Sequence, residues 1–224
     1  MIKIENFTVS KKNKEILKIK EFDSGEVRRI GIFGKNGAGK TTLIKTLLRM
    51  ERYEGVIQFT KPYHNLQVLM QQNGYSPYAK VKDILQLVLN IKSLEPIMYF
   101  IQYISFEDCL DKYVGVLSGG EMQKMNLTLI LMSKPDLMIV DEITTGLDAE
   151  TRQKIQKYIA KYIEDTGCHL IMVSHYKEEL AALTEKVIDL QAGKIKQLYE
   201  AKEFLRTEEE RNVANDSITE ITFN

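Results

Sequence analysis

Residues Gly34-Lys35-Asn36-Gly37-Ala38-Gly39-Lys40-Thr41-Thr42 confine this chain to a narrow set of folds. They satisfy G-x-x-x-x-G-K-[ST] at Gly34, Gly39, Lys40 and Thr41. The apolar run Ile30 to Phe33 before them reads as a buried strand, and Leu43 to Leu48 after them reads as a helix. A chance glycine-rich turn need not have both flanks correct, whereas a phosphate-binding loop requires them. Glycines let successive backbone N–H groups point inward at an anion. The free N–H groups and dipole of the following helix favour the same charge. In such a loop the lysine reaches the terminal phosphates of a nucleoside triphosphate, and the hydroxyl of Thr41 ligates Mg²⁺.

The rest of the chain must supply a fold for that loop. Ile2 to Val9 and Ile16 to Ile19 read as half-buried strands joined by a charged turn at Lys11 to Lys14. Val56 to Phe59, Leu66 to Met70, Asp136 to Asp141 and Leu170 to Val173 are further short strands. Between the second and third of these, Val81, Ile84, Leu85, Val88 and Leu89 recur at helical spacing. A second helix is predicted over Ile97, Phe100, Ile101 and Ile104, with Pro96 near its first turn. Tyr99 and Tyr103 on it are expected to pack. Helices are also predicted from Gly120 to about Met132, from Ala149 to about Asp165, and through Leu183; a hairpin turned by Gly193 closes the order. Short apolar strands alternating with helices specify an α/β fold with a mainly parallel core sheet.

The chain has 224 residues, enough for one sizeable core. Lys+Arg and Asp+Glu are both 31, and this balance argues against a nucleic-acid partner. No apolar run approaches the length needed to span a membrane, and Met1-Ile2-Lys3-Ile4-Glu5 lacks the apolar core of a secretory signal. Cys109 and Cys168 lie in unrelated segments, which suits a reducing compartment. A cytosolic protein that borrows any membrane part from another chain is expected. His64 and His169 read as structural or surface residues, and the Asn215-Asp216-Ser217 acceptor pattern as chance.

Two more stretches carry chemistry. Asp141 ends an apolar strand, where an acid holds Mg²⁺ beside a phosphate loop. Glu142 follows and is placed to poise a water for attack. Leu117-Ser118-Gly119-Gly120-Glu121 opens a predicted helix, with Ser118 as N-cap. It is a second anion-type helix start in a chain that already has one. One triphosphate does not need two cradles far apart in sequence, so this one is expected to face a nucleotide held by another copy or another subunit.

Taken together, these stretches resemble the ATPase subunit of the ABC transporter family, over roughly Met1 to Tyr199. Gly34 to Thr42 is similar to Walker A. Leu117 to Glu121 is similar to the signature LSGGQ, with Glu in place of Gln. Val140-Asp141-Glu142 resembles Walker B with the catalytic glutamate, Gly146-Leu147-Asp148 the D-loop, and Val173-Ser174-His175 the switch histidine. Gln71 falls at the Q-loop glutamine, with Gln72 the competing choice. The resemblance implies a P-loop NTPase core with an N-terminal antiparallel β subdomain and a helical insert. It implies a single ATPase domain over 1–206 with the insert at about 76–134, followed by a polar tail over 207–224.

It further implies that two cassettes, in a homo- or heterodimer, close head to tail over two ATP molecules. Lys40, Thr41 and Asp141 hold ATP and Mg²⁺ from one side; Ser118 and Gly120 contact the γ-phosphate from the other. Glu142 and His175 complete the hydrolytic site, and Gln71 links the metal to the transport domain. The insert, with Tyr75 and Tyr78, meets integral membrane subunits at the inner face of the cell membrane. The motifs are similar to those of exporters. A soluble cassette driving assembly or regulation is the alternative reading.

Besides Glu121, other positions depart from the family pattern. Val9-Ser10-Lys11 offers no aromatic ring to stack on adenine, with Phe7 the candidate substitute. Ile143 stands in place of the usual Pro, and Lys124 in place of the common Arg.

Overall fold

In the computed structural model the described residues are 1–12, 14–70, 74–142, 144 and 146–205. Gln71, Gln72, Ile143 and the tail over 207–224 lie outside them. The chain divides into two compact units, Met1–Pro62 with Met172–Asn224, and Tyr63–Ile171.

The first unit opens with β1 (Ile2–Lys11) and β2 (Lys14–Asp23), which pair antiparallel with Ile4 opposite Phe22 and Phe7 opposite Ile19. Ile2, Ile4, Phe7 and Val9 of β1 and Leu17, Ile19 and Phe22 of β2 are buried, while most residues between them are not. That alternation puts one face of the ribbon in the core. The strand Glu54–Phe59 adds to the other edge of β1, giving a three-stranded antiparallel sheet. We label the strands in chain order, so this is β4, and β3 is Arg29–Phe33. β3 runs parallel to β8 (Lys186–Gln191), and β8 pairs antiparallel with β9 (Lys194–Glu200). Helix α1 (Lys40–Leu47) follows β3 through the phosphate loop, and a later helix, Lys177–Leu183, precedes β8. Residues 201–205 are helical, and Phe204 meets Phe33 edge-on at 5.0 Å. β3 starts at Arg29, one residue before the apolar run. The Arg28 N–H and the Arg29 side chain are both taken by the Glu185 carboxylate, which fixes the strand's entry.

In the second unit β5 (Leu66–Leu69) and β6 (Leu137–Asp141) are parallel, and β7 (His169–Val173) is the other neighbour of β6. All five residues of β6 are buried, which explains its unbroken apolar run. The helices are α2 (Val81–Leu89), α3 (Met98–Tyr103), α4 (Gly119–Met132) and α5 (Ala149–Thr166), so Lys177–Leu183 of the first unit is α6. Pro96 does not open an α-helix as expected; it sits in a separate 3-10 turn, Glu95–Ile97, and α3 is only six residues long. The insert docks through its aromatic residues. Phe100 is buried against Tyr158 of α5 at 4.6 Å, the Tyr99 and Tyr158 hydroxyls are 3.2 Å apart, and the Tyr103 hydroxyl donates to the Lys154 carbonyl at 3.1 Å. Tyr99 and Tyr103 stay partly exposed while anchored by their polar tips.

Candidate active site: two half-sites on one chain

The phosphate loop joins the C-terminal end of β3 to the first turn of α1. Gly39 is the N-cap, at φ 104°, where an L side chain is strained, and a Cβ there would lie 2.6 Å from Leu17 Cδ2. At Gly34 a Cβ would lie 2.3 Å from the Leu190 carbonyl oxygen. The loop is backed by the β8–β9 turn, whose Gly193 N–H donates to the Ala38 carbonyl at 3.0 Å. Lys40 is buried and spans the loop, donating from Nζ to the Gly34 carbonyl at 2.7 Å and the Lys35 carbonyl at 3.3 Å. No side chain caps α1 and no acid lies in its first turn, so nothing of the helix's own neutralises its positive end. Lys35, Asn36, Gly37 and Thr41 are exposed, and Thr42 is half-buried. A cavity of about 480 Å³ lies against Phe33 to Ala38 and the β8 residues Asp189 to Gln191. Its lining includes the first five residues of the loop, Gly34 to Ala38.

His175, two residues after the end of β7, belongs to the first unit and is exposed. Its position is set by a buried pair that sequence reading missed. Ser174 Oγ donates to Glu179 Oε2 at 2.5 Å and accepts the Tyr176 N–H at 3.0 Å, with Ser174 and Glu179 each 1% exposed. A glutamate five residues on, in a charged helix start, gives no local sign of being buried.

The second unit brings the remaining residues together. Asp141 ends β6, 3% exposed, and Glu142 follows half-buried with φ 58°. That left-handed conformation turns the chain sharply after the strand. Gln123 of α4 reaches the Glu142 carbonyl at 3.4 Å. Gly120, in the first turn of α4, lies against the chain at Gly146: a Cβ on it would be 2.8 Å from the Gly146 carbonyl oxygen. Asp148 caps α5, accepting the Thr151 N–H at 2.8 Å and the Thr151 hydroxyl at 2.7 Å, and these bonds hold its carboxyl below the usual range. The start of α4 and the chain at Gly146 are thus in backbone contact.

Ser118 caps α4 in a full capping box. Its Oγ accepts the Glu121 N–H at 3.3 Å, and Glu121 Oε2 accepts the Ser118 N–H at 2.8 Å. Glu121 Oε1 also accepts from Lys112 Nζ at 2.6 Å and from the Cys109 thiol at 3.1 Å. The Lys112 hydrogen bond, then those from Ser118 and Cys109, pull the Glu121 carboxyl down to about 2. Burial and the neighbouring Glu121 carboxylate push the Cys109 thiol up to about 11, so it is a poor nucleophile. Cys109 and Cys168 are both buried and free of disulfides. Ser118 and Gly119 remain exposed, so the signature turn is open to a ligand from outside.

Phe7 is fully buried against Tyr53, so its ring has no face to offer a base. His169 is buried, 3.0 Å from the Tyr63 hydroxyl. Tyr78 is 86% exposed. Gln71 lies outside the described residues. Thr41 and Asp141 offer a hydroxyl and a carboxylate, the hard oxygen donors that Mg²⁺ takes. No helix among the described residues is long and apolar enough to cross a membrane.

The family model described as "ABC transporter" matches residues 17–145, more than half of the chain. This chain belongs to the ABC transporter family. An uncharacterised ABC transporter ATP-binding protein of Methanocaldococcus jannaschii is 30% identical over 219 residues, covering 87% of each chain. The zinc import ATP-binding protein ZnuC of Acinetobacter baylyi is 31% identical over 192 residues, covering 85% of this chain and 73% of its own. The spermidine/putrescine import ATP-binding protein PotA of Mycoplasma capricolum is 26% identical over 230 residues; the match takes in 96% of this chain but only 66% of that protein. A dimeric ATP-binding cassette bound to ADP and Pi superposes with a TM-score of 0.77 at 20% identity, covering 90% of this chain and 99% of that one. At that identity the likeness establishes the cassette fold: a P-loop core with a mainly parallel sheet, an N-terminal antiparallel sheet and a helical insert.

Proposed function

We propose that the chain is the ATP-binding and ATP-hydrolysing subunit of a membrane transporter whose membrane domains are separate chains. The observation that carries this is the presence of two open phosphate-type helix starts, at Gly39 and Ser118, only one of which has the lysine and hydroxyl of a complete cradle. The second half-site serves a nucleotide bound to another ATPase subunit, identical or not. The residues sit in one ATPase domain over 1–206, with the helical insert at about 76–134.

In this reading Gly34 to Thr42 wraps the phosphates of ATP, and Lys40 neutralises charge on the β- and γ-phosphates. Thr41 and Asp141, with Gln71, hold Mg²⁺, which when bound offsets the charge that builds on the phosphate oxygens. Glu142 accepts the proton of the attacking water, and His175 orients the γ-phosphate. Ser118 and Gly120 of the other subunit donate to the γ-phosphate from the opposite side. Positioning and preorganised charge supply the rate enhancement. Asp148 ties the D-loop to α5.

The exposed Tyr78, with Tyr75 before the insert, offers the surface on which membrane subunits dock. The protein then works in the cytoplasm, held peripherally at the inner face of the cell membrane. Cargo and direction are set by those membrane chains. The test is purification of a tagged chain from detergent-solubilised membranes. A multi-span membrane protein and ATPase activity are expected in the same fraction. A chain that hydrolyses ATP yet brings down no integral membrane protein overturns the transport reading.

A further inference from the structure

We propose that Lys112 is a positioning residue for the signature turn, pinning Glu121 and cancelling its charge so that the turn can accept the partner's γ-phosphate. The inference rests on the reading of Ser118 and Gly120 given above. At this position the family signature has an uncharged glutamine. Here a carboxylate sits at the positive end of α4, the same end that must receive a phosphate. Two anions at one helix start repel each other, and an unpaired Glu121 would oppose closure.

The geometry shows how that conflict is relieved. One Glu121 oxygen is committed to the Ser118 backbone at 2.8 Å, and the other to Lys112 at 2.6 Å. Lys112 is itself fixed by its backbone, its N–H donating to the Cys109 carbonyl and its carbonyl accepting from Val81, each at 3.0 Å. The adjacent Asp111 does not compete for it, because Lys82 at 2.7 Å and Lys80 at 3.7 Å occupy that carboxylate. The Lys112 and Glu121 side chains are 41% and 27% exposed, so water screens the pair in the free subunit. Screening falls when a second chain covers the turn, so the pair acts on closure more than on folding.

The experiment measures the ATP concentration giving half-maximal dimer in the Glu142→Gln background, together with KM and kcat for ATP hydrolysis. Lys112→Met should raise half-maximal ATP and KM about tenfold, as expected for one uncompensated like charge. Lys112→Arg should restore most of the loss. In a Glu121→Gln background, Lys112→Met should cost less than about twofold, since no charge remains to cancel. An unchanged KM in Lys112→Met, or the same loss with and without Glu121→Gln, overturns the inference. Ser118→Arg is the control. If it leaves the ATP-held dimer intact, the signature reading fails and this inference with it; if it abolishes the dimer while Lys112→Met has no effect, only the role of Lys112 fails.

Discussion

Gly120 and Gly146 meet backbone to backbone, so closely that a single added carbon on Gly120 would sit 2.8 Å from the Gly146 carbonyl oxygen. The contact couples the start of α4 to the chain at Gly146. Gly120→Ala must therefore push two backbone segments apart, and a backbone carbonyl has no rotamer with which to yield. We expect a stability loss of about 1–3 kcal/mol, the usual range for overpacking, and at least a tenfold fall in ATP turnover. ATP binding by the isolated subunit should persist, because Lys40 is untouched. Urea titration, equilibrium binding and steady-state ATPase assays separate the three effects.

The buried Ser174–Glu179 pair fixes the turn that carries His175. Glu179→Ala removes the acceptor and leaves the Ser174 hydroxyl buried without it, at a cost of about 1–3 kcal/mol. The turnover number should fall while KM for ATP changes little, because the proposed role of His175 is to orient a γ-phosphate that is already bound. Thermal melts and a kcat–KM comparison check both.

Glu121 gives the protein a specific acid sensitivity. Its carboxyl is held down at about 2 from an ordinary 4.5, first by Lys112 and then by Ser118 and Cys109. A folded-state value below the unfolded one means that the contribution is complete above the ordinary carboxylate range and is lost as pH falls toward 2. Urea midpoints measured from about pH 5 down to about pH 2.5 should fall less steeply in Glu121→Gln than in wild type. Equal slopes would show that the pair does not persist in solution.

Base discrimination should be weak. Val9-Ser10-Lys11 presents no ring, and Phe7 is wholly buried. Stacking of a base on an aromatic side chain is worth about 1–3 kcal/mol, and neither ATP nor GTP gains it here. Competition binding should give affinities within about tenfold of each other, that is within about 1.4 kcal/mol. A larger preference for ATP would mean that another group reads the base.

Much of the site is legible in the sequence because its parts are local. Gly34 to Thr42 requires only that a strand precede it and a helix follow. Asp141 announces itself by the four apolar residues before it, and Ser118 by its place as N-cap of a predicted helix. What stayed hidden depends on contacts across the fold. Lys112 lies nine residues before its partner in an irregular stretch with no period to read. Glu179 is a charged residue in a helix start, where exposure is the ordinary expectation. Phe7 alternates correctly in β1, but alternation does not say that Tyr53 closes over it. Pro96 suits the first turn of an α-helix and equally a 3-10 turn, and the short α3 resolves that choice only through the packing of Phe100 on Tyr158.

The division of the catalytic centre between two chains is tested most directly by Glu142→Gln. Light scattering of the purified variant should report a monomer without nucleotide and a dimer with ATP, with hydrolysis reduced at least about a hundredfold, within the range that loss of a general base produces. Adding Ser118→Arg should return the ATP-bound protein to monomer. Turnover near wild type in Glu142→Gln, or an ATP-bound monomer that still hydrolyses, would contradict a site shared between subunits.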